Sequence, residues 1–103
     1  MGKKAKKDKI YFTITGMNYF CGQDFLKEGM KVQLKKEPDN KFDKEAILVT
    51  IPGIGPIGHI ANSAHTVKGD SYSAGRMYDL FGKKADGKIK YILGYGAIGV
   101  LKL

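Results

Sequence analysis

The chain contains little cysteine, histidine or proline: one, two and three residues respectively out of 103. The single thiol, Cys21, cannot close an internal disulfide, which fits a reducing compartment. One cysteine with two histidines does not make a zinc site. Membrane signals are also missing. No stretch approaches the roughly 20 apolar residues of a spanning helix. The N-terminus is lysine-rich without an apolar follow-on, so no signal peptide is expected, and Lys6 stands where a myristoylation signal wants Ser or Thr. The expected location is therefore cytoplasmic, without membrane attachment. Nucleotide motifs are absent or incomplete. Gly53-Ile54-Gly55 lacks the Gly-Lys-Ser/Thr ending of a phosphate loop. Gly94-Tyr95-Gly96-Ala97-Ile98-Gly99 spells a dinucleotide fingerprint, but only four residues follow it, too few for the rest of a strand–helix–strand unit. No internal repeat is evident.

Acidic residues are outnumbered, 10 against 18 Lys and Arg, for a formal charge of +8. Lys3, Lys4, Lys6, Lys7 and Lys9 against Asp8 supply half of that charge. An excess of this sign favours polyanions, nucleic acid first. A solubilising surface with a loose tail is the other reading. Residues 1–8 hold no apolar side chain beyond Met1 and Ala5. They are expected to form a disordered basic tail, with 9–103 as one folded domain. The tail either adds salt-screened phosphate attraction or does nothing specific.

Periodicity predicts a mostly β chain. Ile10, Phe12 and Ile14 alternate with Tyr11, Thr13 and Thr15, a half-buried strand that Gly16 ends. Val32 and Leu34 alternate with lysines. Ala46 to Ile51 shows little alternation and predicts a strand buried on both faces. Pro52 to Pro56 predicts a hairpin connection into Ile57-Gly58-His59-Ile60, where Gly58 allows a close approach of backbone or ligand. Ala74, Met77, Tyr78 and Phe81 fall at helical spacing, with Ser73 as N-cap and Gly82 just past the end. Lys83 to Lys88 reads as a polar turn holding Asp86-Gly87. Ile89–Leu93 and Ala97–Leu103 read as closing strands bent or bulged by Gly94, Gly96 and Gly99. Five or six short strands with one or two short helices predict a small, strongly curved sheet or barrel.

The stretch from Lys36 to Val49 holds the best candidate site. Pro38 fixes its own φ, while Asp39 and Asn40 can bond their own backbone, so a polar turn joins two apolar runs. Asn40 and Asp43 sit among Lys41, Lys44 and Phe42, with Lys35 and Lys36 just before them. Upstream, Asn18-Tyr19-Phe20 lies between Gly16 and Gly22, where a loop lets both rings reach one ligand. Aromatics stack on bases and lysines neutralise phosphates. A carboxylate repels phosphate but accepts a hydroxyl proton in a charge-assisted bond, so Asp43 inside a basic, aromatic site suits a strand end with a free hydroxyl. The alternative is that Asp43 caps the next turn or pairs with Lys41 or Lys44.

Enzymatic readings are weaker. Pro38-Asp39 with Asp86-Gly87-Lys88 loosely matches metal-dependent nucleases, but an extra acidic ligand is not obvious and Asp86-Gly87 reads as a hairpin tip. Cys21 with His59 or His65 has no third orienting group. Lys41 at the third position excludes an EF-hand start. No catalytic residue, metal ligand or cofactor is assigned.

Three segments carry a family resemblance: Gly16 to Gly22 with its Tyr19-Phe20 pair, Glu37-Pro38-Asp39-Asn40-Lys41-Phe42-Asp43 running into Ala46-Ile47-Leu48-Val49, and Ile57-Gly58-His59. In order and spacing, over about Ile10 to Ile60, the chain resembles the HIRAN domain. The resemblance implies an OB-like small β-barrel. HIRAN domains occur fused to Swi/Snf-type translocases and as small free-standing bacterial proteins. The fused form captures the 3′-hydroxyl end of single-stranded DNA. On that pattern Tyr19 and Phe20 stack on bases, Asn40 and Asp43 read the hydroxyl beside the Phe42 backbone, and His59 lies near the terminal phosphates. Asn18 replaces a stacking arginine and Phe20 replaces a tyrosine, and both predict weaker binding. The Ser71 to Tyr78 segment resembles stand-alone members, and Arg76 there can supply some of the lost charge.

The expectation is thus a non-catalytic OB-like barrel that binds single-stranded DNA with a preference for 3′-hydroxyl ends, through Asn18, Tyr19, Phe20, Lys36, Asn40, Lys41, Phe42, Asp43, Lys44 and His59. A helicase, nuclease or other DNA-processing enzyme would act with it in trans, in the cytoplasm at the nucleoid. A protein-interaction module, an RNA binder and a metal-dependent nuclease are the alternatives.

Overall fold

Alternating apolar residues become strands that share one interior. The computed structural model describes residues 9–17, 24–63, 65–94 and 96–102. The expected basic tail, Cys21 and the Asn18-Tyr19-Phe20 loop lie outside the described residues. The elements are β1 (Tyr11–Thr15), β2 (Lys31–Lys36), β3 (Ile47–Ile51), β4 (Gly55–Ile60), α1 (Ala74–Met77), β5 (Lys84–Leu93) and β6 (Gly96–Lys102). All strand pairs are antiparallel and close in the order β1-β4-β3-β2-β5-β6, with β6 returning to β1. This six-stranded closed barrel is the mostly β, OB-like architecture expected from the sequence. Closure leaves these strands without a free edge to pair with another chain.

Phe12, Ile14, Leu34, Ile47, Val49, Ile57 and Ile89 fill the interior and are fully buried. Phe12 is large for so small a barrel, and glycine makes room for it. A Cβ on Gly99 would sit 2.5 Å from the Phe12 ring, and one on Gly87 3.3 Å from it. Gly58 admits a backbone rather than a ligand: a Cβ there would lie 2.5 Å from the Thr15 carbonyl. At the β3–β4 hairpin, the Ile54 amide donates to the Ile51 carbonyl at 2.9 Å. Pro52 and Gly53 (φ 85°) occupy the centre of this turn, the residue choice of a type II turn.

Four sequence expectations are corrected. First, β3 alternates, with Ile47, Val49 and Ile51 buried and Leu48 and Thr50 half-exposed, so it is not buried on both faces. Second, Lys83–Lys88 is not a turn. β5 begins at Lys84, and Asp86-Gly87 is mid-strand because Gly87 must pass close to the Val100 carbonyl and to Phe12. Third, α1 is a single turn that ends at Met77, although Ser73 does cap it by accepting from the Arg76 amide at 3.2 Å. Fourth, the extra residue of the register shift in the closing hairpin lies on β5, between Ile89 and Tyr91, so Gly99 sits across from the bulge rather than in it.

The segment after β4 folds back over the outside of β1. The Ala61 amide donates to the Thr13 carbonyl and the Tyr72 amide to the Tyr11 carbonyl. This cover buries Thr13 on what would otherwise be the open face of β1. Its hydroxyl is satisfied by the Ser71 hydroxyl at 2.7 Å and by the Lys68 amide at 3.1 Å.

Candidate nucleic-acid interface

The loop from β2 to β3 is shaped by its own side chains. Asn40 Oδ1 accepts from the Phe42 amide at 2.9 Å and the Asp43 amide at 3.0 Å. The Asn40 amide group donates to Glu37 Oε1 at 3.2 Å, and His59 Nε2 lies 2.7 Å from the same oxygen. Glu37 therefore fixes the His59 ring on β4 and ties it to Asn40. Asp43 Oδ1 accepts from the Glu45 amide at 2.9 Å, which tightens the step into β3. Asp43 Oδ2 accepts from Asn62 Nδ2 at 2.9 Å. Asn62 Nδ2 also lies 3.3 Å from Glu45 Oε1, and Asn62 Oδ1 accepts from the Gly75 amide at 2.8 Å.

The structure thus joins Asn40, Asp43 and His59 into one hydrogen-bonded cluster, with Glu37 bridging His59 to Asn40 and Asn62 holding the Asp43 carboxylate. Sequence reasoning assigned no role to either of those two residues. Glu37 sits inside the turn already singled out. Asn62 carries no local signal, because its partners are 19 and 13 residues away. The capping alternative for Asp43 is realised in its bond to the Glu45 amide, whereas no lysine among the described residues pairs with it. A carboxylate has about four lone-pair sites. The two bonds to Glu45 and Asn62 leave acceptor capacity on a group already held in place.

The surrounding residues divide into anchored and exposed. Phe42 is 96% exposed, an aromatic ring held out on a loop whose backbone is locked beneath it. Lys41 and Lys44 are exposed beside it. Lys36 is anchored instead: its ammonium donates to the Phe81 carbonyl at 2.8 Å and lies over the rings of Tyr78 (4.4 Å) and Phe81 (5.1 Å). Residues 36–40 border a hollow of about 360 Å³. Asn18, Tyr19 and Phe20 belong to the undescribed segment. Arg76 stacks on Tyr72 at 3.9 Å, on the segment that covers β1.

Among the described residues no three of His, Cys, Asp and Glu gather closely enough to hold a metal ion, and no helix is long and apolar enough to cross a membrane.

The model of the HIRAN domain family matches residues 7–69, more than half of the chain. The chain belongs to the HIRAN domain family. No curated protein and no solved structure matches it. The matched span of this HIRAN domain includes β1 to β4 and every residue of the Glu37–Asn40–Asp43–His59–Asn62 cluster. β5 and β6, which complete the barrel, lie beyond it, as does α1.

Proposed function

We propose that this HIRAN domain is a non-catalytic module that binds single-stranded DNA and prefers a free 3′-hydroxyl end. The observation that carries the proposal is the state of Asp43. Its carboxylate is fixed by Asn62 and the Glu45 amide, is not neutralised by a neighbouring lysine, and sits next to exposed Phe42 and the exposed Lys41 and Lys44. A terminal hydroxyl can donate to such an oxygen, whereas a phosphate there is repelled. Exposed lysines attract the backbone and aromatic rings take the bases. Tyr19 and Phe20 are assigned to stacking and His59 to the terminal phosphates on the family pattern. The module would mark strand ends for a helicase, nuclease or other DNA-processing enzyme acting in trans in the cytoplasm.

Fluorescence anisotropy with matched oligonucleotides tests this. The 3′-hydroxyl form should bind more tightly than its 3′-phosphate twin, and Asp43→Ala should erase the difference while circular dichroism stays native. Equal binding of the two ends by the unmodified protein removes the end-reading function.

A further inference from the structure

Away from the Asn40–Asp43 cluster, the outer face of β2 and β5 carries a charge arrangement that costs stability. Lys31 lies directly opposite Lys88, and Lys35 directly opposite Lys84. All four are exposed. Like charges directly opposite one another across a sheet are destabilising. Between the two pairs stand Gln33 and Asp86. No carboxylate among the described residues forms an ion pair with any of the four lysines. At one end this ladder meets the candidate site, since Lys35 and Lys84 border a small hollow together with Lys36 and Pro38.

At the other end of β5 the register shift changes which way a ring points. Ile89 is buried, so plain alternation would turn Tyr91 inward as well. The shift between Ile89 and Tyr91 puts Tyr91 outward, opposite Ile98 of β6, and leaves it 52% exposed. Bulges recur where a sheet re-aims a side chain toward a site. Tyr91, Ile98 and Tyr11 line an open slot of about 440 Å³, walled by Lys68 and Asp70. The Lys90 ammonium stands 5.9 Å from the centre of the Tyr91 ring.

We infer that this face is a second contact surface, for the body of a single-stranded polynucleotide rather than for its end. The backbone runs along β5 over Lys84 and Lys88, with Lys35 and Lys31 beside them, and one base enters the Tyr11–Tyr91–Ile98 slot. The occupant is a polynucleotide because the ladder asks for regularly spaced negative charge and the slot asks for a flat apolar ring next to it. From Lys84 to Tyr91 the strand rises about 23 Å, so the surface is reached only by a ligand several nucleotides long. The inference takes from the proposed function that the ligand is nucleic acid; it does not depend on end recognition.

The test compares a trinucleotide with a twelve-nucleotide oligothymidylate, each with a 3′-hydroxyl or a 3′-phosphate, over a salt series. For the 12-mer, Tyr91→Ala should lower affinity about tenfold, as loss of one stacked base does, and Tyr91→Phe should restore it. The Lys31→Ala, Lys88→Ala double variant should reduce the salt slope by about 1.4, two single-strand phosphate contacts. Neither change should alter trinucleotide binding. Lys84→Glu should weaken the 12-mer yet raise Tm by up to about 5 °C, because it turns a repulsive pair into an attractive one.

A 12-mer that keeps its 3′-hydroxyl preference but ignores all of these substitutions overturns the inference and leaves the proposed function standing. Dependence on Tyr91 and the lysines without any end preference does the reverse. Lack of binding at low salt overturns both. If Tyr91→Ala changes only the oligomeric state, the slot belongs to a protein contact and the inference falls.

Discussion

Asn62→Ala is the most informative single substitution in the candidate site. Asn62 links the β2–β3 loop to the covering segment: it donates to Asp43 at 2.9 Å and accepts from the Gly75 amide at 2.8 Å. Alanine removes the bond to the Asp43 carboxylate, a longer, exposed one to Glu45 at 3.3 Å that adds little, and one to a backbone amide. Hydrogen bonds to charged groups contribute about 1.5–3 kcal/mol and neutral ones about 0.5–1.5 kcal/mol. The bonds to Asp43 and Gly75 are only part-buried, so water recovers some of this. The expected net loss is about 2 kcal/mol, or roughly 10 °C in Tm for a domain of this size. Urea denaturation, followed by both fluorescence and circular dichroism to check two-state behaviour, measures it. Asn62→Asp is the companion variant. It keeps the acceptor for Gly75 but turns a carboxylate toward Asp43 and Glu45, so it should be at least as damaging at low salt and partly rescued by added salt. A loss below about 0.5 kcal/mol for Asn62→Ala, or an Asn62→Asp protein as stable as the parent, refutes the idea that Asn62 holds Asp43 in place.

Two further substitutions separate packing from binding. Gly99→Ala should destabilise by about 1–3 kcal/mol through overpacking, because its Cβ would lie 2.5 Å from the Phe12 ring and 3.1 Å from the Lys88 carbonyl. Adding Phe12→Leu to the same chain should recover part of that loss in a thermal melt, and no recovery would show that the Lys88 backbone is the obstacle. Phe42→Ala should leave stability within about 0.5 kcal/mol, as befits a ring in solvent, while weakening single-stranded oligonucleotide binding about tenfold. Unchanged affinity would remove the Phe42 ring from the interface.

Much of the barrel was legible because local rules decided it. Two-residue alternation marks β1 and β2, Pro52 and Gly53 make their own turn, and Ser73 caps α1 as its position predicts. Misreadings occur where a distant contact decides. Asp86-Gly87 has turn chemistry, yet Gly87 sits mid-strand because Phe12 and Val100 leave no space for a Cβ. Thr13 reads as solvent-facing and is buried by Ser71, 58 residues away. Ala74, Met77, Tyr78 and Phe81 share a helical spacing, but the helix stops at Met77. Tyr78 and Phe81 receive the Lys36 ammonium instead.

Lys36 shows how this bears on function. Its position in the sequence, just before the Asn40–Asp43 turn, is that of a phosphate contact. In the fold its ammonium keeps its charge but is held in place by a carbonyl and two rings, which tie β2 to residues 78–81. Moving it onto a ligand would break that bridge, so its neighbours are better placed for the electrostatic role. Lys35 and Lys84 face solvent opposite each other and repel. Binding a phosphate between them relieves that repulsion, whereas Lys36 can reach a phosphate only where its ammonium already sits or by giving up a bond already made. The sequence can count lysines around a turn; only pairing across β2 and β5 tells which of them gain by meeting a polyanion.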